Sequence, residues 1–141
     1  MATLYGSYSA GLGSTPVVPA DGDVQNARVR VLSEKITLAT QTTSDTIVLG
    51  VLPIGATFLY GVLTSTVTLG ASATIAIGVS GSTGKYRAAA TFTSADTPTL
   101  FGVTTGKASK LTAAETVFIT IAVASLPGSG TLHVDIFYSA A

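Results

Sequence analysis

The chain contains no cysteine and no tryptophan, and its single histidine is His133. Without cysteine there is no disulfide framework, no thiolate metal site and no cysteine nucleophile. With one histidine, a multi-histidine metal site cannot be built within one chain. Charge is scarce as well. Seven Lys+Arg balance seven Asp+Glu, and charged residues make up 10% of the chain, where a typical soluble domain carries roughly 25%. No basic excess is available to neutralise phosphates, which argues against a nucleic-acid partner. Long apolar runs are missing too. Ile36–Gly84 holds one charge, Asp45, in 49 residues, but Thr, Ser, Gly and Pro53 break it before the roughly 18 consecutive apolar residues of a membrane helix accumulate. No membrane partner is expected. Met1–Leu12 lacks the basic and apolar regions of a secretory signal, so none is expected either.

What is present is small and β-prone. Of 141 residues, 72 are Thr, Ser, Ala or Gly, and the hydrophobic fraction of 47% supplies a core for one domain. Residues 1–22 read as an extended N-terminal arm and residues 23–141 as one β-sandwich domain. The arm carries Gly6, Gly11, Gly13, Pro16, Pro19 and Gly22 and no charge before Asp21. Its glycines and prolines oppose helix. It also carries Leu4, Tyr5, Tyr8, Leu12, Val17 and Val18, anchors that a solvated tail usually lacks. These six are the candidate contacts of the arm with another subunit or another protein.

From Ala27 onward, apolar and polar residues alternate with period two. Ala27, Val29 and Val31 share one face opposite Arg28 and Arg30, and the apolar parity then moves to Ile36 and Leu38. That shift predicts a bulge or bend near Leu32–Glu34. Thr46–Val51 reads as a short strand ended by Leu52-Pro53, and Gly55–Leu69 as a long one that Gly61 could kink between sheets. Ala73, Ile75, Ile77 and Val79 form an alternating stripe. Tyr86–Ala90 could make a helical turn, and Thr99–Val103 a short strand. Thr116–Ala124 and Thr131–Tyr138 alternate cleanly, and Pro127-Gly128 between them suits a type II turn, which predicts an antiparallel hairpin. Asp45–Leu49 and Glu115–Ile119 echo one another, as two similar halves of a jelly roll would.

Several patterns imitate catalytic chemistry. Gly78–Lys85 has Val79 where a phosphate loop needs glycine and Tyr86 where it needs a hydroxyl for magnesium. It reads as a glycine-rich strand connection. His133 and Asp135 share a strand face simply because strands alternate, and no serine has glycine both two before and two after it, so there is no nucleophile elbow. Asp45, Asp96 and Glu115 are scattered without calcium-loop spacing. No catalytic, cofactor or metal residue is assigned, and an enzyme is not expected. A lectin-like site would draw on tryptophan or clustered asparagine, and Asn26 stands alone.

The stretch from Asp45 through Pro53 to Ala56 resembles small virion proteins of tailed bacteriophages. The resemblance continues through Leu63–Ser65, Leu69–Gly78, Lys85–Ala89, Leu111–Val117 and Gly130–Leu132, and so spans roughly Ser44–Tyr138. It is a pattern of turns and strands, with no catalytic residue to carry over. The family is that of capsid decoration, or cement, proteins. The resemblance implies an antiparallel β-sandwich of jelly-roll type with an extended arm. It implies a homotrimer on the outer capsid surface, made in the host cytoplasm, bound to the major capsid protein and clamping adjacent capsomers. Low charge and uncharged Thr/Ala/Gly strand faces independently favour association. The alternatives are a receptor- or carbohydrate-binding virion module of a head fibre or tail, and a small bacterial carbohydrate-binding domain.

Overall fold

The computed structural model describes Ala2, Pro16, Val17, residues 27–107 and residues 110–140. Eight strands account for most of them: β1 (Arg28–Thr37), β2 (Thr46–Leu52), β3 (Thr57–Ser65), β4 (Thr74–Val79), β5 (Ser82–Ala90), β6 (Thr99–Phe101), β7 (Glu115–Ala122) and β8 (Thr131–Ala140). A 3-10 turn, Thr104–Lys107, precedes β7. The strands form two antiparallel four-stranded sheets. Sheet I has the order β1-β8-β3-β6 and sheet II the order β2-β7-β4-β5. The chain is an all-β sandwich.

The pairing is nested. β1 pairs with β8, β2 with β7, β3 with β6 and β4 with β5, as if one long hairpin had been rolled up. Alternation explains the core. On β7, Val117, Ile119 and Ile121 point inward, and on β8 Leu132, Val134 and Ile136 do the same; all six are at most 1% exposed. They join Leu49, Leu52, Phe58, Leu63, Ile75, Ile77 and Tyr86 in one buried cluster between the sheets.

Four local expectations are corrected. β7 and β8 do not form a hairpin, since β7 belongs to sheet II and β8 to sheet I. Their apolar faces are complementary across the core rather than along an edge. The intervening residues bond instead to the segment after β1: Leu126 N–H donates to Gln41 C=O and Thr40 N–H to Pro127 C=O. β1 has no bulge, because its register with β8 runs unbroken from Arg28↔Ala140 to Thr37↔Thr131. The even positions leading to Ile36 and Leu38 form the inward face, and Val29 and Val31 lie on the outside at 62% and 52% exposure. Residues 86–90 are strand, paired with β4, so the helical turn does not form.

Gly61, finally, does not carry β3 from one sheet to the other; β3 stays in sheet I throughout. A Cβ at Gly61 would collide with the Phe101 ring, which packs over it from β6. Gly61→Ala is expected to cost about 1–3 kcal/mol through overpacking, read as a lower denaturation midpoint. Gly78–Lys85 is a strand connection as expected. It is the β4–β5 hairpin, turning at Gly81 with φ 82°. The two echoing segments open β2 and β7, which pair directly, Ile47 opposite Ile119.

Candidate functional site

The nested fold leaves two places where side chains gather with something to do. The first is the outer face of sheet I. Because β1 is continuous in register, its odd residues line up with the outward residues of β8, and those with β3 and β6. Val31, Phe137 and Tyr60 stand side by side across β1, β8 and β3. In the next row Ser33, Asp135, Val62 and Leu100 cross all four strands. The Tyr60 and Phe137 rings stack at 4.8 Å between centroids with 19° between planes. Tyr60 is 42% exposed and Leu100 71%. With Val29 and Val31, these residues make an apolar band facing solvent, a feature that on soluble proteins marks interaction sites.

The row of Val62 and Leu100 is polar where it crosses β1 and β8, and a further polar row bounds the band. Ser33 Oγ donates to Asp135 Oδ1 at 2.6 Å, and Lys35 lies opposite His133 one row further. His133 and Asp135 do share a face, as alternation requires. The serine donates to the aspartate itself rather than to His133, so the geometry is that of a cross-strand surface pair and not of a nucleophile aligned on its base.

The second place is the mouth of sheet II. Glu115, the first residue of β7, receives two bonds from β5: Lys85 Nζ lies 2.6 Å from Oε1, and Tyr86 Oη donates to Oε2 at 2.6 Å. The Lys85 ammonium also sits 5.4 Å from the centre of the Tyr86 ring. Tyr86 is fully buried, with its ring 4.6 Å from that of Phe58. A cavity of about 190 Å³ adjoins the group, lined by Lys85, Thr105, Gly106, Lys110, Leu111 and Glu115 among others. Each oxygen of Glu115 is engaged in tying β5 to β7, so the cluster acts as a staple. Arg87 serves the same end. Its guanidinium donates to the carbonyls of Ile75, Ala90 and Thr91 where the β4–β5 register is irregular. Burial lowers its pKa from the ordinary arginine value.

Burial, reinforced by the hydrogen bond to Glu115 and by its negative charge, raises the pKa of Tyr86 well above the usual 10. The unfolded chain therefore releases this proton at a lower pH than the folded one. The stabilisation is complete below pH 10 and is lost progressively as pH rises above it. Tyr86→Phe is expected to flatten the decline of stability between pH 10 and 11.5 in denaturant titrations. Glu115→Ala, which strands the buried Tyr86 hydroxyl, is expected to cost about 1–3 kcal/mol, part of it recovered in the double variant with Tyr86→Phe.

Of the six arm residues singled out from the sequence, Leu4, Tyr5, Tyr8, Leu12 and Val18 lie outside the described residues. Val17 is described and is 61% exposed. The Glu115 cluster is invisible in the sequence because its members lie about thirty residues apart. The outer band was half visible in the parity of Val29 and Val31. Among the described residues no three His, Asp or Glu side chains are grouped to hold a metal ion, and no helix is long and apolar enough to cross a membrane.

The two-sheet architecture places the chain among known folds. No family model matches the sequence, and no curated protein matches it. Its structure is similar to a chain of the cyanophage Pam1 capsid asymmetric unit, with a TM-score of 0.65 and 22% identity over 88% of this chain and 93% of that one. It is similar also to a chain of the capsid of Ralstonia phage GP4, with a TM-score of 0.61 and 21% identity over 95% of each. A third likeness is to a chain of the acid-stable capsid of Helicobacter pylori bacteriophage KHP30, with a TM-score of 0.58 and 11% identity over 79% of this chain and 86% of that one. At these identities the likeness is one of fold.

Proposed function

We propose that this chain is a structural virion protein without catalytic activity. In this reading it decorates and stabilises a phage capsid by binding the outer surface as a trimer and clamping adjacent capsomers. The observation that carries it is the fold shared with chains of three phage capsids over nearly their whole length. Those chains are close to this one in size, so the comparable object is a one-domain component of the particle.

Three features of the molecule support the reading. The nested pairing of eight strands supports the jelly-roll part of the reading. The polar clusters hold the sandwich together: Glu115 staples β5 to β7, and Asp135 pairs with Ser33. The chain is neutral overall and exposes an apolar band, both of which favour association. Residues 1–22 act as the arm. Leu4, Tyr5, Tyr8 and Leu12 seat along a capsomer boundary of the major capsid protein, with Val17 and Val18 nearer the domain. The protein is made in the host cytoplasm and ends on the virion surface.

The test mixes purified protein with undecorated heads and follows sedimentation and cryo-electron microscopy. Three-fold density bridging capsomers is the expected result. Failure to bind heads, together with binding on a glycan array, would replace this reading by the receptor- or sugar-binding one.

A further inference from the structure

We propose that the apolar band on sheet I is the seat for the Pro16–Pro19 segment of a second copy of this chain. Val17 and Val18 would then clip each subunit to the next. The inference rests on the decoration reading only in that it supplies the contact that makes the trimer.

The band demands a cover. Val29, Val31, Tyr60 and Leu100 are between 42% and 71% exposed, and they join Phe137 and Val62 into a surface that crosses the whole sheet. The stacked Tyr60 and Phe137 rings at its centre offer a flat, rigid platform, the type of surface on which aliphatic side chains dock at little entropic cost.

The occupant follows from where the chain enters the sheet. β1 is an edge strand, and 27 residues precede it. They arrive at Arg28, beside Val29 and Val31. From Val17 to Ala27 an extended chain covers roughly 33 Å, while four strands span only about 14 Å. The segment can therefore leave its own edge and lie across a neighbour's face. Chemistry agrees: no charge occurs before Asp21, and Val17-Val18 stands between Pro16 and Pro19. Both prolines restrict the backbone before docking, so less freedom is lost on binding.

The partner is another copy rather than the same one. Val17 is 61% exposed on its own chain while the band of that chain is bare. Exchange covers both the exposed Val17 and the bare band. Each copy then gives one segment and receives one, a head-to-tail contact that closes into a ring. Leu4, Tyr5, Tyr8 and Leu12 are left beyond the clip, free to engage the shell.

The cysteine-free chain makes the test clean. Val17→Cys and Leu100→Cys are introduced together and treated with a short bismaleimide, without heads, and the products are separated under denaturing conditions. The expected result is bonds between chains that build up to a three-chain species, with either single variant stopping at the background of its lone thiol. Leu100→Asp, at an exposed position, is expected to keep the wild-type circular dichroism and to reduce the light-scattering mass from three chains to one. Bonds only within a chain, no bonds at all, or a Leu100→Asp protein of unchanged mass would each overturn the inference. If wild-type protein binds heads while the Val17→Cys/Leu100→Cys variant gives no bond between chains, the clip is lost and the decoration reading stands. The converse result keeps the clip and sinks decoration.

Discussion

Truncating Ile121 to alanine is expected to lower the unfolding free energy by about 2–5 kcal/mol. Ile121 is 1% exposed. It lies on β7, an inner strand of sheet II, opposite Ile75 of β4, and it belongs to the same buried cluster as Leu132, Val134 and Ile136 of β8 in the other sheet. A cavity here could close only by moving one sheet toward the other, and two hydrogen-bonded layers resist that. Ile121→Val removes one methylene and is expected to cost about 0.5–1.5 kcal/mol. Chemical denaturation reads both, and an unchanged midpoint for the alanine variant would mean that the inward face has been misassigned.

That prediction rests on the part of the fold most legible in the sequence. Period-two alternation marked Val117, Ile119, Ile121, Val134 and Ile136 as inward, because burial on one face is imposed residue by residue along a strand. It could not say which strands are neighbours. β7 and β8 carry the same pattern whether they pair at an edge or face each other across a core. The short Pro127-Gly128 connection favoured the hairpin, yet the hydrogen bonds of that connection go to Gln41 and Thr40. β1 misled for a related reason. Its parity change points to a bulge only on the premise that every apolar residue is inward. Val29 and Val31 are instead apolar residues on the outside, and an apolar residue placed where the domain does not bury it is the pattern of an interaction surface. The Lys85–Tyr86–Glu115 staple left no trace, since nothing local records a contact between strands two apart in a sheet.

Removing residues 1–20 is expected to leave a sandwich that still unfolds cooperatively, and to weaken attachment to heads by about 100-fold or more. Among the described residues the buried cluster runs from Ile36 to Ile136, so the core is expected to survive the loss. Attachment is a different matter. Three arms acting together multiply a weak single contact, and tethered avidity of this kind contributes roughly 10²–10⁴ in affinity. With Val17 and Val18 gone, the melting temperature is also expected to lose its dependence on protein concentration, the signature of a subunit contact linked to folding. Two variants separate the parts of the arm. Replacing Leu4, Tyr5, Tyr8 and Leu12 by serine is expected to keep the three-chain mass and lose the heads, because those residues face the shell. Replacing Val17 and Val18 is expected to lose both, because a single arm binds too weakly once the ring is open. If the truncated chain does not fold, the arm belongs to its own core. If it decorates heads at full strength, attachment lies in the sandwich itself and the clamp must be abandoned.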